Sequence, residues 1–209
     1  MSDLLPLAAA GLAGYLVGAI PVGLMLARTF GLGDVRKIGS GNIGASNVLR
    51  TGNRLAALLT LLLDAAKGAG PVLAAGLIWP GGDEAAAIAG LGAFLGHCFS
   101  VYLGFWGGKG VATGFGVFMA WSWGIGLICA LVWLAAALVT RRASAAALAT
   151  TAAALVLFGL WGDSLFFAGA AVMSAVLIWR HRENIERLRA GEEPQISLGG
   201  NRAPKGGAE

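Results

Sequence analysis

Charged residues are scarce in this chain. Only 12% of its 209 residues are Asp, Glu, Lys or Arg, whereas soluble domains carry about 25%. Hydrophobic residues make up 57% of the chain, and the mean hydropathy is +0.75. A chain of this composition cannot cover itself with polar groups, so a soluble fold is excluded. We predict an all-α integral membrane protein whose main partner is the lipid bilayer.

Cysteine and histidine are nearly lacking as well. Both cysteines, Cys98 and Cys129, lie inside apolar runs, so a disulfide framework is not expected. The two histidines, His97 and His181, lie in different segments without paired carboxylates, and neither begins an HxxxxD acyltransferase pattern. Since GxSxG is missing too, metal and serine hydrolases are not supported. We expect no metal, no cofactor and no nucleic-acid partner.

Apolar runs of about 20 residues are long enough to cross a bilayer as helices. Backbone polar groups must be satisfied within each run, which favours helices over strands. Five such runs cover residues 4–27, 55–79, 85–103, 145–161 and 164–179. Glycine pairs four residues apart, Gly14/Gly18 and Gly92/Gly96, indicate close helix packing.

Basic residues occur almost entirely in alternate connections between these runs. Of the 15 Lys and Arg, five lie between Arg28 and Arg54, one is Lys109, two are Arg141 and Arg142, and six follow residue 179. The other connections and the N-terminus contain acidic residues and no base. By the positive-inside rule, we predict that the basic loops and the C-terminus are cytoplasmic and that the N-terminus is outside.

The uncharged run 111–140 must cross the membrane an even number of times, because Lys109 and Arg142 are predicted on the same side. Two short helices with a break near Ser122 fit best, and they bring the total to seven transmembrane helices. The alternative is a re-entrant hairpin. We assign residues 1–190 to a single transmembrane domain and 191–209 to a polar cytoplasmic tail, partly disordered.

The loop 39–53, GSGNIGASNVLRTGN, combines flexible backbone with hydrogen-bond donors. Its glycines allow successive backbone N–H groups to form a concave anion nest. A helix starting near Ala45 adds the positive end of its dipole. Arg50 can bind an oxyanion through two hydrogen bonds, and Ser40, Ser46 and Thr51 supply hydroxyls. The stretch therefore predicts an anion site, and the alternative is a flexible linker with helix caps.

A second polar stretch, FWGGKGVAT, surrounds Lys109 with three glycines. Glycine lets the backbone approach a ligand closely while the ammonium supplies a compact charge. Gly104 and Lys109 are one residue too close for a nucleotide P-loop, and Gly110 follows the lysine instead of Ser or Thr. Nucleotide hydrolysis is thus rejected, whereas a lysine that snorkels to the membrane boundary remains the alternative.

Two further clusters complete the polar residues. Asp64 and Lys67 lie three residues apart in an otherwise uncharged run, where they form either a structural ion pair or a direct ligand set. In the third motif, RHRENIERL, His181, Asn184 and Leu188 share one helical face. A stop-transfer cluster explains the arginines of that motif but not the His/Asn spacing.

The motifs SGNIGASNVLRTGN, LLDAAKG, LGFWGGKGVAT and HRENIERLRAGEE resemble, in this order, those of the membrane glycerol-3-phosphate acyltransferases that use acyl phosphate, the PlsY family. The resemblance runs from about residue 21 to 193. It implies seven helices with a cytoplasmic active site in the bacterial plasma (inner) membrane. It further implies transfer of an acyl group from acyl phosphate to the sn-1 hydroxyl of glycerol 3-phosphate, giving lysophosphatidic acid and phosphate.

The resemblance also assigns residues. The expected catalytic residues are Ser40, Arg50, Lys109, His181 and Asn184. The expected substrate-binding residues are Gly41, Asn42, Gly44, Ser46, Asn47, Gly108, Gly110 and Ser144. Ser46 stands where threonine is commoner, and Trp106 where a basic residue often precedes GGKG. A transporter of an organic phosphate is the alternative function, although deep charges are limited to Asp64 and Lys67.

Overall fold

A computed structural model of the protein describes residues 4–79 and 82–196. These residues form helices and connecting turns. The helices are α1 Leu4–Gly18, α2 Val22–Thr29, α3 Ala45–Val48, α4 Arg54–Ile78, α5 Asp83–Cys98, α6 Val111–Trp121, α7 Trp123–Thr140, α8 Ala143–Trp161, α9 Ser164–Arg180 and α10 Arg182–Ala190. The predictions for the N-terminal residues 1–3 and for the tail beyond residue 196 lie outside the described residues.

Five helical segments of the described residues are long and apolar enough to cross a membrane: Leu4–Thr29, Arg54–Ile78, Asp83–Leu103, Trp123–Thr140 and Ala143–Trp161. The pair α9–α10, bent by 57°, raises the number to six if it counts as one span. α6 has 11 residues and is shorter than these segments. The predicted apolar segments are thus all helical, while their number as full spans stays a prediction.

The first predicted span, residues 4–27, lies within the segment Leu4–Thr29, and its helix is interrupted between α1 and α2. Pro21 has no backbone N–H and cannot continue the ladder of an existing helix. The carbonyl groups freed at the break receive buried donors: Ser100 Oγ donates to Ala19 O over 2.5 Å, and Lys67 Nζ donates to Ile20 O over 2.6 Å. The break is therefore stabilised by side chains from α4 and from the loop after α5.

α1 and α5 pack backbone against backbone. A Cβ on Gly14 would overlap the carbonyl of Ala89, and one on Gly18 would overlap that of Ala93. The partner glycines of α5, Gly92 and Gly96, approach the α1 backbone in the same way. The spacing noted in the sequence thus lies in this interface, where small residues let two helices approach closely in a membrane.

We expect Gly18→Ala to lower the free energy of unfolding by about 1–3 kcal/mol, because the added methyl group forces two helix backbones apart. The measurement is thermal unfolding of detergent-purified protein. Gly70→Ala in α4 is the matched control, because a Cβ there meets no atom within 4 Å. Equal melting temperatures for the two variants would contradict the close approach of α1 and α5.

The break predicted near Ser122 is present between α6 and α7, and an aromatic cluster packs beside it. Ser122 is extended, with φ −155° and ψ 103°. The adjacent Trp121 stacks on Phe166 with ring centroids 5.4 Å apart and donates its indole N–H to the carbonyl of Ala86 over 3.1 Å. Phe158 meets Trp121 edge-on at 6.0 Å. This core joins α5, α6, α8 and α9 at one end of the bundle.

The four basic connections meet at the opposite end. Leu103, which follows α5, packs against the apolar core of the α2–α4 connection, around Val35 and Val48. Arg142, between α7 and α8, donates through Nε to the carbonyl of Glu193 over 3.1 Å. Loops that are far apart in sequence are therefore brought together at one end of the helices.

Candidate active site

The loop 39–53 is organised by the buried side chain of Asn47. Its Nδ2 donates to the carbonyl groups of Val35 over 2.7 Å and Asn42 over 2.8 Å. Its Oδ1 accepts from the backbone N–H of Ser40 over 3.1 Å. Since both amide atoms are engaged with the loop itself, Asn47 positions the loop, although it was predicted among the substrate-binding residues.

The exposed donor side chains of this loop are those of Ser40, Ser46 and Arg50. The Ser40 hydroxyl also donates to Asn47 Oδ1 over 3.4 Å. Gly39 has φ +54°, and a Cβ there would meet the Arg50 side chain, so the guanidinium lies directly against the Gly39 backbone. Gly41 also has a positive φ, of +67°. The exposed hydroxyls and the guanidinium form the donor set expected of an anion site.

The helix expected to start near Ala45 begins at that residue and is short. It is a single turn, Ala45–Val48, followed by a 3₁₀ turn, Leu49–Thr51. Gly44 precedes it in an extended conformation, and its N–H donates to Asn42 Oδ1 over 3.1 Å. One turn carries little of a helix macrodipole, so the loop depends on its own N–H groups and side chains to hold charge.

The loop 104–110, which carries Lys109, lies tightly on the end of α5. The N–H groups of Gly107 and Gly108 donate to the carbonyls of Cys98 and His97, over 3.2 and 2.9 Å. From the other side, Arg180 Nε donates to the carbonyl of Gly108 over 3.0 Å, and its Nη2 donates to that of Gly107. Both glycines lack room for a side chain. The three glycines around the lysine are thus explained by packing.

Lys109 lies in a polar network with α10 and the segment that follows it. Its ammonium donates to Asn184 Oδ1. Asn184 Nδ2 donates to Glu193 Oε1 over 2.6 Å, and Arg187 Nε donates to Glu193 Oε2 over 2.8 Å. The buried hydroxyl of Ser144 lies beside the same carboxylate, without the geometry of a full hydrogen bond. We call Lys109, Asn184, Arg187 and Glu193 the Glu193 network.

His181 lies at the bend between α9 and α10 and is buried. Its Nδ1 is 2.9 Å from the carbonyl oxygen of Leu177. Because a carbonyl only accepts, Nδ1 carries the hydrogen of the neutral imidazole, and Nε2 is the free acceptor. His181 is the residue between α9 and α10, and Asn184 lies in the first turn of α10.

Comparisons with known proteins identify the family. The family model described as glycerol-3-phosphate acyltransferase matches residues 8–191. The chain is 52% identical over 199 residues to a glycerol-3-phosphate acyltransferase of Roseobacter denitrificans, which covers 93% of this chain and 96% of the relative. The chain belongs to the glycerol-3-phosphate acyltransferase family. A relative from Dinoroseobacter shibae is 54% identical over 192 residues, with 91% and 93% covered.

Two crystal structures of PlsY (YgiH), an integral membrane glycerol 3-phosphate acyltransferase, have the same fold. The glycerol 3-phosphate form has a TM-score of 0.84 and 38% identity, covering 94% of this chain and 96% of that one. The lysophosphatidic acid form has a TM-score of 0.84 and 36% identity, covering 91% and 95%. The resemblance to the PlsY family is confirmed, and the protein is an integral membrane acyltransferase.

The electrostatics of this acyltransferase centre on Lys109 and Glu193. Burial lowers the pKa of the Lys109 ammonium to about 8, while the charge of Glu193 acts in the opposite direction. Burial also raises the pKa of Glu193, but contacts with Ser144, Asn184 and Arg187 outweigh it and hold that pKa below its usual value. The network thus keeps Glu193 ionised, and Lys109 is charged at neutral pH.

We expect kcat/KM of the acyltransferase to fall as the pH rises above about 8, because the pKa of Lys109 in the free protein is about 8. Below that pH the ammonium is charged and attracts phosphate, and above it the neutral amine does not. The measurement is a pH profile of kcat/KM from about pH 6 to about pH 10, which extends on both sides of the Lys109 pKa of about 8. In Lys109→Arg the remaining activity should lose this alkaline limb, and an unchanged limb would contradict its assignment to Lys109.

Two residues of this region, Glu193 and Arg180, were missed from the sequence. Glu193 lies in the segment predicted as a polar tail, yet it is buried and joins Asn184 and Arg187. Arg180 was read only as part of a basic cluster, although it holds the loop 104–110. The signal available for Glu193 was that it ends the motif HRENIERLRAGEE, together with Glu192.

His97 was expected to lack a carboxylate neighbour, and this is wrong. Its Nδ1 lies 3.7 Å from Asp64 Oδ1, and the same oxygen lies 2.8 Å from Lys67 Nζ. All three groups are buried. Asp64 and His97 are far apart in sequence and lie on different helices, so only helix packing brings them together. Asp64 and Lys67 are an ion pair inside the protein, below the Lys109 loop.

Proposed function

We propose that this acyltransferase moves a fatty acyl group from acyl phosphate to the sn-1 hydroxyl of glycerol 3-phosphate. The products are lysophosphatidic acid and inorganic phosphate. The observation that carries the proposal is the meeting of Lys109, Asn184 and His181 at the end of the bundle where the loop 39–53 also lies. Two donor-rich groups at one membrane surface suit two phosphate-bearing substrates, one of which carries a fatty tail.

The proposed topology is seven transmembrane helices with the active site on the cytoplasmic side of the bacterial plasma membrane. Its support is the convergence of all four basic connections at one end of the helices, since basic loops remain in the cytoplasm. Its further support is that the relatives compared above are bacterial. Because α6 has only 11 residues, the glycine loop 104–110 before it forms the rest of this crossing in the proposed topology.

We assign the acyl phosphate to Lys109 and the loop 39–53, through the hydroxyls of Ser40 and Ser46. Glycerol 3-phosphate is assigned to Arg50, His181 and Asn184. This division keeps a cation next to each phosphate, so that the two anions can approach without repelling each other. The backbone N–H groups around Gly41 and Gly44, like those of Gly108 and Gly110, contribute without adding charge.

The chemical step needs orientation more than a strong base. The hydroxyl oxygen of glycerol 3-phosphate attacks the acyl carbonyl carbon, and the bond from that carbon to the phosphate oxygen breaks. The electron pair leaves with phosphate, and the hydroxyl proton passes to the phosphate group. Acyl phosphate is already activated, so no covalent enzyme intermediate is required. The protein holds the two reacting groups together and stabilises the developing charge.

Detergent-purified protein given acyl phosphate and glycerol 3-phosphate tests the proposal. We expect phosphate and lysophosphatidic acid in equal amounts, with the acyl group at the sn-1 position by NMR. Acyl-CoA replaces acyl phosphate in a parallel reaction. Product from acyl-CoA but not from acyl phosphate would overturn the donor while leaving the family intact. A transporter would release no phosphate, and family membership already favours the acyltransferase.

A further inference from the structure

The buried imidazole of His97 lies directly under the loop that carries Lys109. A Cβ on Gly108 would overlap His97 Nε2, and the next nearest atoms are two carbons of the same ring. On the far side of the ring, Nδ1 faces Asp64, which is paired with Lys67. The reaction as proposed above uses none of these three side chains.

We propose that His97 is a positioning residue for Lys109. Its ring is the surface on which Gly108 rests, and the Asp64–Lys67 pair sets the orientation of that ring. The inference rests on the proposed function, in which Lys109 binds a substrate phosphate. It adds a residue that touches no substrate and yet sets how far the ammonium extends toward Asn184.

The loop has few other means of holding its shape. Glycines at 107, 108 and 110 have no side chains to pack, so neighbouring atoms must define the backbone path. Arg180 binds two carbonyls from one side, and Phe94 lies against Gly110. His97 is the side chain nearest to the Cβ position of Gly108, the residue immediately before the lysine. Loss of its ring leaves a space under the loop into which Gly108 can sink.

The pair Gly108→Ala and His97→Ala tests this contact. We expect Gly108→Ala to lower kcat/KM by about 100-fold, because its methyl group displaces the lysine by about 1 Å. In the double variant the missing imidazole makes room for that methyl group, and activity should recover at least about tenfold over Gly108→Ala, as contacting residues are not additive.

Gly107→Ala provides the matched control. Its methyl group would overlap the backbone carbonyl of His97 instead of the ring. Removing the imidazole cannot relieve that overlap, so His97→Ala should not rescue Gly107→Ala. Rescue of both glycine variants, rescue of neither, or nearly normal activity of Gly108→Ala would overturn the proposal.

A third variant separates positioning from stability. His97→Asn keeps an amide near the position of Nδ1, facing Asp64, but removes the part of the ring under Gly108. We expect a melting temperature close to that of the wild type together with a raised KM for acyl phosphate. An unchanged KM would contradict the positioning role. Lys109→Ala is measured in the same assay: if it stays active, the proposed substrate site fails, independently of the glycine–histidine result.

Discussion

Lys109→Ala should lower kcat with acyl phosphate and glycerol 3-phosphate by about 1000-fold in a protein that still folds, as loss of a preorganised charge at a reacting phosphate does. The lysine is half-buried, so its charge acts in a medium that screens it less than bulk water does. Its partner Asn184 keeps its second contact, with Glu193, when the lysine is removed. The network therefore loses the Lys109 charge and keeps the contacts of Glu193 with Asn184 and Arg187.

The measurement is phosphate release by detergent-purified protein, with thermal unfolding recorded for each sample. Lys37→Ala is the control, because Lys37 is an exposed lysine of the α2–α4 connection that makes no part of the Glu193 network. It removes the same charge from the same end of the molecule and should leave kcat nearly unchanged. Comparable kcat values for the two variants would show that Lys109 only marks the membrane boundary.

Asn184→Asp should lower kcat/KM by about 100-fold or more, although the substitution changes only one atom. The amide nitrogen that donates to Glu193 Oε1 over 2.6 Å becomes an oxygen, which places two carboxylates in contact. Like charges at this distance repel, and one carboxylate must either take up a proton or move away. Either response disturbs the contact between residue 184 and Lys109.

Glu186→Gln, on the same helix α10, is the matched control for Asn184→Asp. Glu186 is exposed and faces away from the network, so exchanging its carboxylate for an amide should change kcat/KM by less than about twofold, as surface changes usually have small effects. The two variants make opposite exchanges of amide and carboxylate on one helix. Similar losses in both would mean that the helix charge matters and that the Asn184 contact does not.

The Glu193 network also includes part of the segment that follows α10, residues 191–196. Residues 191–196 do not behave as a separate tail, because Glu193 is buried and Ile196 N donates to the carbonyl of Arg141 over 2.7 Å. Residues 191–196 thus lie against the α7–α8 turn, and Glu193 supports the Asn184 amide. A supporting contact of this kind holds the Asn184 side chain in one orientation.

Much of the architecture follows from local sequence. Apolar runs bounded by cations predict the helices to within a few residues, because a helix in lipid must satisfy its own backbone and exclude charge along its length. The glycines around Lys109 and the third-motif spacing of His181 and Asn184 could be interpreted from the sequence as well. The interruption of the first span at Pro21 was not predicted, because apolar residues continue on both sides of the proline.

The sequence by itself determined that this protein lies in a lipid bilayer, where its helices occur and which polar motifs it carries. These properties depend on composition and short-range spacing. Tertiary structure alone decided which polar groups meet. Lys109 and Asn184 are 75 residues apart, and Asp64 and His97 lie on different helices. Whether Asn47 faces a substrate or its own loop depends on carbonyls 5 and 12 residues away. Such contacts depend on the relative position of packed helices, which no local pattern contains.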